Sequence, residues 1–291
     1  MKTLITLFLS FLGLHAFSQD GLEGIFVERY YTSQAADNGD TLNSGNLAVG
    51  SVTYRIYVDL KPGFTFQAAF GSPQHPLFIK STAPFFNHAD AGTVIANILP
   101  ERTLGRNISL LDSWLSVGAA GENHLAVPKA YDPDGIDSLI KWSPLFLKAK
   151  EGKKTISLQQ ADGMIRVENT PFPTLYQIEP NLRNLGSATL GQELVVENGA
   201  WASMGKGSMG ADSLTTNSVL IAQITTTGEL SFELNLLIGA PNGTSQRYVA
   251  RNPDLGEWVH PDLIFSPSLL DKHLKKKKKS RNKKTKTNTP K

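Results

Sequence analysis

The run Ser51-Val52-Thr53-Tyr54-Arg55-Ile56-Tyr57-Val58-Asp59-Leu60 alternates strictly. Val52, Tyr54, Ile56, Val58 and Leu60 fall on one face, and Thr53, Arg55, Tyr57 and Asp59 on the other. A period of two in β-branched and aromatic residues marks a strand with one face in a core, and a helix cannot satisfy it. Tyr54, Ile56 and Val58 are therefore expected to point inward, and Arg55 and Asp59 outward. Lys61-Pro62-Gly63 follows as a turn, with proline setting φ and glycine free to take it positive. Residues 64–70 resume the alternation, and Leu77-Phe78-Ile79 reads as a further short strand. Residues 115–118 and 164–167 have the same character. Residues 218–225 are strongly apolar, Thr227-Gly228 interrupts them, and residues 230–236 alternate again. That pair reads as a hairpin, with Phe232 and Leu234 inward. Helical turns are expected only around residues 144–150 and 266–274.

Closely spaced strands, punctuated by 25 glycines and 16 prolines and lacking a βαβ rhythm, predict an all-β chain. The expected architecture is an antiparallel β-sandwich or jelly roll. Residues 19–127 and 191–268 are expected to form either two related halves of one sandwich or two small domains. An irregular, proline-rich connector, 128–190, lies between them and is where loops would carry function.

The first 18 residues have the pattern of a signal peptide. Lys2 supplies the positive start, Leu4 to Leu14 an apolar run, and Ala16-Phe17-Ser18 the small residues before a cleavage point at Gln19. The mature chain is thus expected to be secreted, on the cell surface or extracellular, with the periplasm as the other compartment. No other stretch approaches ~20 apolar residues, so no membrane span is expected in the mature chain. The absence of cysteine excludes a disulfide scaffold, a thiolate zinc site and a catalytic thiol. Export also argues against a nucleotide cofactor, because ATP and NAD are scarce outside the cell.

The formal charge of +3 conceals two opposite segments. Lys272 to Lys291 hold eleven Lys and Arg and no acid. All 26 Asp and Glu lie between Asp20 and Asp271, among 17 basic residues (29 less Lys2 and the eleven), giving −9. The terminal stretch has no apolar residue after Leu274 and is expected to be a disordered tail, 269–291. Lys275, Lys276, Lys277, Lys278, Lys279, Arg281, Lys283 and Lys284 form its densest block. Two readings stand: a solubilising tail lying against the acidic body, or a tether for a polyanion. Acidic polysaccharide, lipopolysaccharide and extracellular DNA are the partners of that second reading.

Most short motifs fail their structural context. Gly205-Lys206-Gly207-Ser208-Met209-Gly210 matches a dinucleotide fingerprint, but no strand–loop–helix arrangement surrounds it, so an inter-strand loop is expected. His75, His88, His124, His260 and His273 show no i, i+4 pair for zinc and are expected on loops or the surface. Asp132-Pro133-Asp134-Gly135-Ile136-Asp137 sets Asp132, Asp134 and Asp137 on one turn. Asp37-Asn38-Gly39-Asp40 is a second acidic turn. Three carboxylates can begin a calcium site, and the same residues also build ordinary turns. Calcium is the only cofactor with any support. Tyr30, Tyr31, Phe85, Phe86, Trp114, Trp142, Trp201 and Trp258 could either stack on sugar rings or fill a core. Trp114, beside Leu110, Leu111 and Leu115, reads as core, and Trp142 in the connector reads as the ligand-binding candidate.

The ordered segments 52–58, 68–71 (Ala-Ala-Phe-Gly), 85–87 (Phe-Phe-Asn), 111–118 (Leu-Asp-Ser-Trp-Leu-Ser-Val-Gly), 198–201 (Asn-Gly-Ala-Trp) and 219–226 resemble a β-rich module of secreted and surface proteins of Gram-negative bacteria. The likeness spans roughly residues 22–252. It implies a cell-surface or matrix setting, with no established activity and no catalytic residue carried over. Such modules often precede a C-terminal sorting domain, where this chain has its lysine block. The expected function is a secreted, non-enzymatic binding or structural module, in adhesion or the extracellular matrix. The alternative is a secreted polysaccharide hydrolase using two carboxylates from separate strands.

Overall fold

The computed structural model describes residues 20–35, 37, 47–89, 91–101, 108–132, 162–186, 191–211, 214 and 216–267. In chain order its strands are β1 (Leu22–Thr32), β2 (Val52–Leu60), β3 (Thr65–Gly71), β4 (Leu77–Ser81), β5 (Trp114–Leu115), β6 (Ala119–Gly121), β7 (His124–Ala126), β8 (Met164–Arg166), β9 (Pro173–Tyr176), β10 (Glu193–Val196), β11 (Gly199–Ser203), β12 (Asn217–Thr226), β13 (Leu230–Glu233), β14 (Leu236–Gly239), β15 (Ser245–Tyr248), β16 (Glu257–Trp258) and β17 (Ile264–Phe265). They form sheets of order β1-β2-β12-β5, β10-β4-β13-β17, β16-β15-β14-β3-β11-β9 and β6-β7-β8. The β15–β16 pair is parallel. The main pairs, such as β1–β2, β2–β12 and β3–β14, are antiparallel. The one α-helical element among the described residues is the single turn Arg183–Gly186. No described helix is long and apolar enough to cross a membrane. The chain is all-β and layered as a sandwich, as its alternation implies.

The expected hairpin at 218–236 is a sandwich crossing instead, and so is the step through the Lys61-Pro62-Gly63 turn. β2 pairs with β1 and β12, whereas β3, reached through the Lys61–Gly63 turn, pairs with β11 and β14. β12 pairs with β2 and β5, whereas β13 pairs with β4 and β17. At that second crossing a Cβ on Gly228 would lie 2.4 Å from Ala83 N, so only glycine lets the chain pass the neighbouring backbone. The 230–236 run is itself split by Asn235, a buried residue. Its Nδ2 donates to His75 O at 2.7 Å, and its Oδ1 accepts from Ala250 N at 3.0 Å. These bonds satisfy the polar groups where the chain changes sheet. The segments on either side of the connector share sheets: β12 lies beside β2, β3 between β14 and β11, and β4 between β10 and β13. Residues 128–190 contribute β8 and β9.

Two apolar clusters explain β2. Ile56, Val58 and Leu60 enter a core with Phe66, Trp201, Ile221, Phe232 and Leu234, and Tyr54 packs half-buried against it. The opposite face meets a second cluster: Tyr57 packs with Tyr30, Leu110, Trp114, Met164 and Leu220. The inward face is the one expected, but the outward face is covered as well. Arg55, expected in solvent, is fully buried, and Asp59 is half-buried and accepts from Ser218 Oγ at 2.8 Å. The cause is β2's central place between β1 and β12, with short elements from residues 108–126 and 164–166 laid over its second face.

Candidate functional site

A buried cation needs partners, and three elements supply them to Arg55, although its Nη2 is buried without a hydrogen-bond partner among the described residues. Its Nε donates to Gln223 Oε1 on β12 at 3.0 Å, and its Nη1 to Gly163 O at 3.0 Å. Its guanidinium carbon lies 3.5 Å from the centre of the Tyr30 ring on β1, a close cation–π contact. Burial alone would weaken its hold on the proton, but Tyr30, Tyr57 and Glu28 outweigh it and keep the group charged. Gln223 continues the network, donating through Nε2 to Leu110 O and Asp112 O, both at 2.8 Å. Gly163 sits at φ +70°, where a Cβ would press on Arg55 Nη1 at 3.1 Å.

This network closes the base of the connector. Asp132 Oδ2 accepts from Gly163 N at 2.8 Å, and Val127 N donates to Gly163 O at 3.1 Å. The Tyr30 hydroxyl donates to Asp162 O at 2.8 Å. Asp132 and Gly163 are thus tied to each other, while Lys129 holds to Tyr30 and Glu28 of β1, Asp162 to Tyr30, and Gly163 to Arg55 of β2. Of the three carboxylates in the acidic turn, Asp132 is engaged with this clamp. Asp134, Asp137 and Trp142 lie outside the described residues, as do Lys275–Lys279, Arg281, Lys283 and Lys284. In the other acidic turn, Asp37 accepts from the Tyr31 hydroxyl at 3.0 Å and Gln34 N at 2.6 Å.

Beside the clamp lies a cleft of about 320 Å³, lined by residues Arg29 to Gln34 and Lys129. It exists because β1 is irregular between Arg29 and Tyr31, which leaves Tyr30 out of register and turns both Tyr30 and Tyr31 into the body. Lys129 Nζ donates to Tyr30 O at 2.8 Å, and its backbone N donates to Glu28 Oε1 at 2.8 Å. Burial, reinforced by the Arg55 charge, lowers the Lys129 amine to about 8. Tyr131, two residues on, is 60% exposed. The arrangement places two cations, Arg29 and Lys129, on the wall of the cleft, where they could meet an anion.

Other sequence candidates resolve structurally. Tyr30, Tyr31, Phe85, Trp114 and Trp201 are buried, and the Trp201 indole donates to Ile221 O at 3.2 Å. The glycine-rich run is an inter-strand loop, and a Cβ on Gly207 would meet Phe66 O at 2.8 Å. Asp112 is the one described carboxyl with a strongly raised pKa: burial pushes it up to about 7. It is inaccessible, and its oxygens accept from His88 N at 2.8 Å and Thr93 N at 2.6 Å. It organises the 88–93 loop and is sealed from any substrate. His75 and His88 lie on loops, as expected, yet are buried there, and His124 is buried at the start of β7. No protein-family model, curated protein or solved structure matches the chain.

Proposed function

We propose that this chain is an exported, non-enzymatic module that binds acidic polymers of the cell surface or extracellular matrix. The observation that carries the reading is the charge division. Eleven cations and no acid occupy the last twenty residues, against −9 for residues 20–271. Such a segment attracts any dense polyanion with little regard to its sequence or shape. The cleft at Lys129 supports the reading with a second, smaller cationic contact on the body. Several ionisable side chains of the body lend further support by being engaged structurally: Arg55 donates to Gly163 O, and Asp112, Asp132 and Asp162 accept from the backbone N of His88, Gly163 and Met164. Acidic polysaccharide and phosphorylated polymers are the ligand class.

The test is a salt titration of binding to an acidic polysaccharide and to duplex DNA. Contact with six to eight phosphates gives a log K against log salt slope of roughly −5 to −7 for DNA. A flat salt dependence removes the reading.

A further inference from the structure

His75 occupies a tight loop between β3 and β4 and is fixed through its backbone. Its N donates to Ser72 O at 3.0 Å, and its O accepts from Ser72 N at 2.9 Å and from Asn235 Nδ2 at 2.7 Å. Its side chain is 4% exposed, and Nε2 is buried without a hydrogen-bond partner. That nitrogen faces two carboxylates from the turn leading into β16. Glu257 Oε2 is 3.1 Å away and Asp254 Oδ2 3.9 Å. The turn is closed by Glu257 N donating to Asp254 O at 3.0 Å, and Gly256, at φ +88°, permits its shape. On the far side, Arg247 Nε pairs with Glu257 Oε1 at 2.6 Å while its guanidinium lies 4.2 Å from the centre of the Phe70 ring. Arg247 thereby holds Oε1, and Oε2, which also accepts from Asp254 N at 2.8 Å, lies toward the imidazole.

One nitrogen and two oxygens thus lie within 4.8 Å of one another. A tetrahedral ion with bonds of about 2.0–2.1 Å sets neighbouring ligand atoms about 3.3 Å apart, between the 3.1 and 3.9 Å seen here. The donor set suits a borderline divalent ion, because magnesium and calcium take oxygen ligands almost alone. We infer that His75, Asp254 and Glu257 bind one zinc ion, with the fourth position open to water. Arg247 acts as the positioning residue for Glu257, the outer-shell support that metal-binding carboxylates commonly have. Asp254, 77% exposed at its side chain, lies on the path from solvent.

The full chain, stripped with a chelator, is titrated with zinc chloride by calorimetry and melted with and without zinc. The expected result is one zinc bound at these residues and a rise in Tm, because a ligand of the folded state stabilises it by mass action. Asp254→Ala changes an exposed side chain and carries the test even if His75→Gln folds poorly. Each variant should lose more affinity than the roughly 10–100-fold typical of outer-shell partners. A parent whose Tm ignores zinc, or an Asp254→Ala chain that binds zinc as tightly as the parent, overturns the assignment. Either result leaves His75 and Glu257 as a simple imidazole–carboxylate contact.

Discussion

Replacing Arg55 by methionine tests the buried network most severely. The side chain supplies two charge-assisted hydrogen bonds, to Gln223 and Gly163, each worth about 1.5–3 kcal/mol. It also makes the Tyr30 contact, worth about 2 kcal/mol when desolvated. The gross sum of about 5–8 kcal/mol is offset by the several kcal/mol needed to strip a guanidinium of water. The substitution also leaves the nearby Glu28 oxygen Oε2 buried and without its cation. The expected net loss is about 3–5 kcal/mol, the range for breaking one side of a buried charge pair. At a urea m-value near 3 kcal/mol/M this moves the midpoint by about 1–2 M. The assay is equilibrium urea unfolding of the full chain, followed by tryptophan fluorescence. Arg55→Lys keeps the charge but cannot reproduce the fork, so it should fall between parent and methionine variant. An outward-facing Arg55 would change stability by no more than about 0.5 kcal/mol. A shift that small would refute the buried network.

Three further outcomes follow from individual groups. Asp112 is held up to about 7, above its unfolded value of about 3.9, so the folded state carries the extra proton between these values and its stability falls as pH rises through that window. Asp112→Asn removes that fall, so the stability difference between parent and variant should change by about 2–4 kcal/mol between pH 4 and 7.5. A constant difference would contradict the assignment. Lys129 loses charge as pH passes about 8, whereas ordinary lysines stay charged to about 10. Binding of a short acidic oligosaccharide to a chain ending at Leu270 should therefore weaken between pH 7 and 9.5, and a pH-flat isotherm would exclude the Lys129 cleft as the contact. If Asp132, Asp134 and Asp137 hold calcium, millimolar calcium raises Tm and Asp134→Ala abolishes the rise. An unresponsive parent leaves Asp132 a structural role, accepting from Gly163 N.

The strand content was legible because alternation at β2 and β3, and the apolar run of β12, are local properties. Their partners were not. Lys61-Pro62-Gly63 and Thr227-Gly228 are good turns, but a turn does not say whether the next strand joins the same sheet or crosses to the other. Arg55 failed for a related reason. Its alternation identified the correct face of β2, yet whether that face meets water depends on residues 108–126 and 164–166 folding over it. The core role of Trp114 was readable from its leucine neighbours. The cleft and the His75 cluster were not readable, because Lys129 meets β1, and Glu257 meets His75, only after strands distant in sequence pair.

The most direct measurement of the central claim compares polyanion affinity across salt for the full chain and for a chain ending at Leu270. The full chain should bind duplex DNA and acidic polysaccharide regardless of sequence, with affinity falling steeply as salt rises. Replacing the terminal lysines by arginine should preserve the effect, and replacing them by glutamine should abolish it, because the charge alone is responsible. The shortened chain should lose most of that affinity while keeping its urea midpoint, since the lysine block adds no apolar surface for burial. A shortened chain that binds as tightly as the full one would contradict the account and move the binding surface onto the sandwich.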